Sequence, residues 1–454
     1  MFLHHSDVLV IGGSSAGLSA AITAKRQHPN KSVTLLRKEK QTLVSCGIPY
    51  VFGTISSLGE IVIPGSLLEN NNIKLVVGEA TSIDAANFMV EVDGHDQISY
   101  ERLVIATGSH PAMLPVPGFE RSGVFTISKE MSVLLELKQK LRNSRDLVVI
   151  GGGFIGAEVA DECRKAGVKR VTIVESQQHC LGLWFDEEFA LKAEAILENN
   201  GIAVKTSVNV AEIGGDSAVK EVVLESGEVL PADAVIMCVG SVANTDLTQK
   251  TGLALGPTGA ISVNRYMRTA NERIFACGDC AEKVSFFGGR PSPIKLASIS
   301  CSEGRIAGAN LFGVRRENIG TIGALGTTVG GTSFACAGLT EQAAIATGYD
   351  CVTGIAEGPN RHPACMPGME MVKVKLVFEK RNGVILGSQF TGGSSVGEMV
   401  NMMSACIQKK MTIDDIAAFQ IGTHPCLTSS PLTYQTVDAA EMALLNALSN
   451  KEEE

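Results

Sequence analysis

The sequence predicts an α/β fold, with two Rossmann-like nucleotide-binding units and a C-terminal α+β domain. Three observations carry this prediction. An apolar run, a glycine-rich turn and an Ala-rich helix occur twice. The first copy is Asp7-Val-Leu-Val-Ile-Gly-Gly-Ser-Ser-Ala-Gly17 and the second is Asp146-Leu-Val-Val-Ile-Gly-Gly-Gly-Phe-Ile-Gly156. Each copy later reaches a second apolar run ending in glycine, Leu103-Val-Ile-Ala-Thr-Gly108 and Val235-Ile-Met-Cys-Val-Gly240. After about Gly323 the pattern turns to alternating strands at 372–378 and 384–390, around the hairpin signal Arg381-Asn-Gly383.

Taken in chain order, residues 1–115 form the first part of one nucleotide-binding domain. Its turn reads Gly12-x-Ser14-x-x-Gly17, with Ser14 where the middle glycine usually stands. The position after Thr34-Leu-Leu36 that normally holds an acid is Arg37, and Glu39 follows two residues later. Cys46 lies just beyond the second strand, in Val44-Ser-Cys-Gly-Ile-Pro-Tyr50. A cysteine at a helix start can have its pKa lowered from about 8.5 to roughly 3.5–7.5, so Cys46 is the candidate redox thiol. Pro111, Pro115, Pro117 and Gly118 mark a linker.

Residues 116–242 form the second nucleotide-binding domain. Gly151-x-Gly153-x-x-Gly156 follows a predicted strand and opens a predicted helix, so backbone N–H groups and the helix dipole face a pyrophosphate. Glu175 ends the next strand. A carboxylate there accepts both ribose hydroxyls and repels a 2′-phosphate, which favours NADH over NADPH. Residues 243–323 return to the first domain. They hold Ile274-Phe-Ala-Cys-Gly-Asp279, read as a buried strand ending in a turn, and a helix near 293–311 with the small face Ala297, Ser300, Gly304, Ala307 and Gly308. Cys277-x-x-Cys280 has no second such pair to complete a four-thiolate zinc site, and reads as structural. Residues 324–454 form the third domain, with a helix at 398–409.

Length and composition agree with this organisation. At roughly 150 residues per domain, 454 residues suggest about three domains. The 45% hydrophobic and 19% charged residues suit a globular chain. A net charge of −9 gives no counterion-release drive toward nucleic acid, which argues against nucleic acid as a partner. Twelve cysteines dispersed through a long chain read as mostly reduced thiols, so a cytoplasmic location is expected. The apolar run at 8–24 has no Lys or Arg before it and contains the glycine turn, so it is not read as a signal peptide. No run is long and apolar enough to span a bilayer, and no metal site is expected.

With Ser45-Cys-Gly-Ile-Pro-Tyr50, Ala106-Thr-Gly108, residues 151–158 and Cys277-Gly-Asp-Cys-Ala-Glu282 in this order, the chain resembles the pyridine nucleotide–disulfide oxidoreductase superfamily over nearly its full length. It is most similar to the single-cysteine branch of NADH oxidases, NADH peroxidases and coenzyme A disulfide reductases. The resemblance implies FAD held by Gly12, Ser14, Ser15, Gly17, Glu39, Ser45, Ala80, Thr107, Gly108 and Asp279. It implies NADH held by Gly151, Gly153, Phe154, Ile155, Gly156, Glu158, Glu175 and Gly240, with Phe154 at an aromatic gate position. It also implies a C-terminal dimerisation domain and a homodimer. Two-cysteine relatives carry a partner thiol where Gln41 stands here.

The departures bear on the acceptor. Ser15 stands where peroxidases carry a His, which counts against peroxidase chemistry. Ala364-Cys-Met-Pro-Gly368 and Thr423-His-Pro-Cys-Leu427 stand where coenzyme A disulfide reductases are Tyr-rich, and Thr23 stands where they carry a basic residue. His424-Pro425 looks like the His-Pro of two-cysteine enzymes, whose orienting Glu would fall near Ser429. His424 is therefore a second candidate catalytic residue, and a surface or packing His is the competing reading. Cys365 and Cys426 read more readily as packing than as accessory thiols. The expected activity is NADH-dependent reduction, through Cys46, of a small disulfide, persulfide, polysulfide or coenzyme A disulfide, with NADH oxidase activity alongside. O2 as the main acceptor, or a small electron-transfer protein, are the alternatives.

Overall fold

The computed structural model describes residues 3–249 and 251–452. The chain forms two compact units. One comprises Met1–Pro115, Val124–Asn143 and Ile236–Thr321; the other comprises Val116–Gly123, Ser144–Val235 and Ile322–Glu454.

The first unit begins with β1 (Leu3–Ile11), α1 (Ser15–Gln27) and β2 (Val33–Arg37), followed by β3 (Lys74–Val77), β4 (Ala80–Asp84), β5 (Met89–Val92) and β6 (Asp96–Ile105). The sheet order is β3-β2-β1-β6-β5-β4, and the strand Ile274–Ala276 adds to the C-terminal half of β6. The strands β3, β2, β1, β6 and Ile274–Ala276 run parallel, with Leu9 opposite Leu103 and Leu103 opposite Ile274. Such a sheet is covered on both faces, so its strands are continuously apolar. Val8, Leu9, Val10, Leu35, Leu36, Leu103 and Val104 are all buried. The order reverses at β1, with β2 on one side and β6 on the other. That switch point places a crevice at the carboxyl ends of β1 and β6.

The expected helix near 293–311 is found at Ala297–Asn310. Its N-cap, Leu296, is extended, so the chain from Pro293 approaches without helical turns. The helix crosses α1 at very close range. A β-carbon on Gly304 would overlap the Ala16 carbonyl, and one on Gly308 would overlap that of Ala20. The small-residue face read in the sequence is this crossing.

The second unit repeats the design with β7 (Asp146–Ile150), α2 (Phe154–Lys165), β8 (Arg170–Val174), α3 (Glu187–Asn199), β9 (Ile202–Lys205) and β10 (Ala234–Met237), in sheet order β9-β8-β7-β10. A small antiparallel sheet lies between β9 and β10 in the chain. The C-terminal part of this unit is an antiparallel sheet of β11 (Ala324–Val329), β12 (Thr332–Gly338), β13 (Cys351–Pro359), β14 (Met371–Glu379) and β15 (Ile385–Gly392), in order β11-β12-β15-β14-β13. The expected hairpin joins β14 to β15, and Gly383 supplies a φ of +69°. Helices α4 (Glu341–Thr347), α5 (Val396–Gln408) and α6 (Gln435–Glu452), with the short helix Ile413–Ala417, complete it, and α5 is at the expected place. Among the described residues no helix is long and apolar enough to cross a membrane.

Candidate active site

In the first unit the glycine turn is fixed by sterics. Gly12 has φ +112°, and a β-carbon there would overlap the Ala106 carbonyl; one on Gly17 would overlap the Gly12 carbonyl. Ser14 is the N-cap of α1 in extended conformation, and its side chain makes no capping bond. The first turn of α1, which begins at Ser15, also carries no acid. Its amides are therefore left for an anion. Behind this turn lies Arg37, buried, donating to Thr42 Oγ1 at 2.5 Å and to the Lys40 carbonyl at 3.1 Å. Burial lowers its pKa, with Glu39 acting in the opposite sense. Glu39 itself is half-buried.

Asp279 sits in the 3-10 turn Gly278–Cys280 that follows strand Ile274–Ala276. Its carboxylate accepts from Ser109 Oγ at 2.7 Å and Ser300 Oγ at 3.1 Å, and Lys129 Nζ lies 3.9 Å away. Thr107 donates to the Asn244 carbonyl at 2.7 Å, and Gly108 takes φ +74° to start the strand paired with Ser241–Ala243. Gly240, with φ +104°, accepts from the Ala112 amide at 2.9 Å. The structure thus groups Gly12, Ser14, Ser15, Gly17, Thr107, Gly108 and Asp279 at the carboxyl end of the sheet. Ala80 opens β4, on the antiparallel extension, where it pairs with Val92.

Cys46 is exposed. It lies in the 3-10 turn Ser45–Gly47, followed by a second such turn, Pro49–Phe52. The expected helix start is here a pair of short 3-10 turns, so the macrodipole contributes little to this thiol. What holds the turn is packing: Ile48, Val51 and Phe52 are buried, and the Val44 amide donates to the Ile61 carbonyl at 2.8 Å. Of the twelve cysteines, only Cys46, Cys365 and Cys426 are exposed. Burial pushes Cys180 and Cys238 up to about 12, and Cys277 and Cys280 also upward, so these thiols stay protonated. Cys280 Sγ donates to the Ile105 carbonyl at 3.5 Å, a structural contact.

In the second unit Gly151 takes φ +101°, and Gly153 is the extended N-cap of α2. A β-carbon on Gly153 would meet nothing within 4 Å, so the space above it is open. The first turn of α2 has no acid and no side-chain cap. Glu175 is buried at the end of β8, accepting from the Gly152 amide at 2.6 Å and the Gln177 amide at 2.7 Å. Phe154 meets Trp184 edge-on at 5.8 Å and Phe185 at 6.1 Å. Ile155 is exposed and Gly156 buried. Glu158 accepts from Thr327 Oγ1 at 2.6 Å.

The loop holding His424 is exposed. The Cys426 amide donates to His424 Nδ1 at 3.2 Å, so the neutral ring carries its proton on Nε2. Ser429 is buried and donates to Gln435 at 2.5 Å, and makes no bond to the His424 ring. Cys365 and Cys426 are exposed instead of packed, because the loops that carry them lie outside the sheet.

Sequence reasoning missed Ser109 and Lys129, whose partner Asp279 is about 150 or more residues away. It also missed Lys375, a buried lysine 3.0 Å from Asp186, 3.0 Å from Glu188 and 2.8 Å from Glu341. No local pattern marks any of them.

The comparisons agree with this geometry. Residues 6–304 match the pyridine nucleotide-disulphide oxidoreductase family, and residues 324–434 match the dimerisation domain of that family. The chain is 32% identical over 420 residues to an NAD(P)H sulfur oxidoreductase (CoA-dependent) of Pyrococcus abyssi, covering 90% of this chain and 92% of that one. It is 30% identical over 423 residues to an NADH oxidase of Enterococcus faecalis, covering 90% and 93%. The solved NAD-dependent persulfide reductase from A. fulgidus superposes with a TM-score of 0.89 at 31% identity, covering 98% of this chain and 83% of that one. With two Rossmann-like units, two uncapped helix N-termini and an acid at the end of β8, the chain belongs to the pyridine nucleotide-disulphide oxidoreductase family and is an FAD-dependent oxidoreductase using NADH.

Proposed function

We propose that this cytoplasmic flavoenzyme reduces a small disulfide, persulfide, polysulfide or coenzyme A disulfide at the expense of NADH, with Cys46 as the redox-active thiol. The exposure of Cys46, in a turn anchored by buried neighbours just after the second strand of the first unit, carries the reading. The names of the Pyrococcus abyssi and A. fulgidus relatives support a sulfur acceptor.

The residues fit the cofactors. The glycine-fixed turn and uncapped helix α1 suit the FAD pyrophosphate, and Asp279 offers a carboxylate to the sugar-alcohol chain. The open face above Gly153 and the Glu175 carboxylate suit NADH. Bound FAD supplies the two-electron path between NADH and sulfur. The thiolate of Cys46 attacks the acceptor sulfur, forming a mixed disulfide and releasing the other half as a thiolate. His424 in its imidazolium form gives that thiolate a proton and returns to the neutral ring. The two electrons then cleave the mixed disulfide, regenerate the Cys46 thiolate and release the second thiol.

His424 is contributed across a homodimer in this reading. The matched dimerisation domain supports it, as do the exposed Leu427 and Leu432 beside that loop and Leu445 and Leu448 on α6. A second reading, O2 as the main acceptor, is favoured by the Enterococcus faecalis relative.

The test is steady-state turnover with polysulfide and with coenzyme A disulfide in Cys46→Ser and His424→Ala. Sulfur reduction falls by at least about 100-fold in Cys46→Ser, as expected for a lost nucleophile. Unchanged sulfur turnover in that variant would remove the reading, and unchanged turnover in His424→Ala would remove the role of His424.

A further inference from the structure

The turn that carries Asp279 is held by a buried ion pair with no assigned role. Lys283 and Glu303 are each 2% exposed, with Nζ and Oε2 3.2 Å apart. Both act on one residue, Gly278. Glu303 Oε2 accepts from the Gly278 amide at 2.8 Å, and Lys283 Nζ donates to the Gly278 carbonyl at 2.6 Å. Lys283 also donates to the Ala281 carbonyl at 3.2 Å, so the pair grips the turn on both sides of Asp279.

Gly278 needs such a grip. Its φ of +78° is left-handed, and a β-carbon there would crowd Ala16, in the first turn of α1. Glu303 lies one helical turn after Ser300, whose hydroxyl reaches Asp279 at 3.1 Å. One face of this helix therefore sets both the backbone before Asp279 and the carboxylate itself.

Energetics argue against simple stabilisation. A buried ion pair is often no better than an apolar pair of equal volume, because desolvation offsets the attraction. Glu303 Oε1 has no hydrogen-bond partner, and burial raises its carboxyl to about 7 despite Lys283. The pair secures a geometry at some cost to stability.

We propose that Lys283 and Glu303 are a positioning pair for FAD: they fix both backbone groups of Gly278 and so aim the Asp279 carboxylate at the cofactor. The proposal rests on the reading of Asp279 as an FAD contact. It gives the conversion of one buried charge pair into cofactor affinity, acting only through Asp279.

The test is the FAD dissociation constant of apoprotein, followed by flavin fluorescence, with circular dichroism checking the fold. The variants are Glu303→Asp, which withdraws the carboxylate from the Gly278 amide, Asp279→Asn, and the two combined. Each single variant weakens FAD binding by about 10-fold or more, the worth of one charge-assisted hydrogen bond. The double variant is no weaker than Asp279→Asn alone, because the two act in series. Losses that multiply would overturn the proposal while leaving Asp279 as a contact. Unchanged affinity in Asp279→Asn would instead overturn the reading of Asp279, and the proposal with it. If Glu303→Asp does not fold, Glu303→Gln decides: it keeps an acceptor for the Gly278 amide and retains affinity within about threefold. A loss as large as that of Asp279→Asn would overturn the positioning role.

Discussion

The two nucleotide-binding units share a backbone and differ in the charge behind the glycine turn. Buried Arg37 packs against Gly13 in the first, and Glu175 accepts from the Gly152 amide in the second. Glycines at different positions of these turns also do different work. Gly12 and Gly17, at the outer positions of the first turn, leave no room for a β-carbon, whereas Gly153, at the middle position that Ser14 holds in the first, faces open space. The difference separates two uses of glycine that look identical in sequence. One lets the chain pack on itself, and the other clears space for a ligand.

The largest expected effect breaks the first use. Gly12→Ala forces a left-handed residue and an overlap with Ala106, costing about 2–4 kcal/mol. It is expected to yield protein with little FAD and a lowered Tm. Gly153→Ala, by contrast, changes stability by less than about 1 kcal/mol and raises the KM for NADH. Equal melting temperatures for the two variants would erase the distinction.

Next in size is the charge. Glu175→Ala removes the ribose acceptor and the partner of the Gly152 amide, and kcat/KM for NADH falls by about 10-fold or more. The ratio of NADPH to NADH use rises, since the repelling carboxylate is gone. A preference unchanged in that variant would show that discrimination lies elsewhere.

The smallest effect distinguishes the units by pH. The Glu303 pKa is raised in the first unit, so its contribution to stability is full below about 4.5 and is lost as pH rises through about 7. Asp186, in the second unit, is driven upward by burial but further downward by the Gln389 hydrogen bond and Lys375, so its net shift is downward. Its contribution is present above its ordinary carboxylate pKa and is lost on acidification below it. Amide hydrogen exchange should therefore show the first unit loosening toward alkaline pH and the second toward acid. Parallel pH profiles for both units would contradict this.

These contrasts mark what could be read in advance. The placement of Gly12, Gly151, Glu175 and Asp279 in turns and at strand ends was legible because a strand, a turn and a helix in immediate succession leave few residue choices. The hairpin at Gly383 and the helix α5 followed for the same reason. Lys283, Glu303 and Lys375 were not legible, because a buried lysine has the composition of a surface one and its partners are distant in the chain. Ser109 and Asp279 are separated by 170 positions, and only the sheet brings them together. The Cys46 turn was expected to open a helix, but 3-10 turns and the packing of Ile48 and Phe52 take that place.

The strand Ile274–Ala276 has a consequence for synthesis. It is wholly buried and completes the parallel sheet by pairing with β6, which ends at Ile105. The first unit therefore cannot close while its N-terminal segment is the only part made. At about 5–20 residues per second, the ribosome needs roughly 10–35 s to supply the missing strand. During that interval the C-terminal half of β6 presents an open apolar edge, the kind of surface that chaperones bind and that neighbouring nascent chains can pair with. Expression yield of this protein is thus tied to what covers β6 before residue 276 emerges.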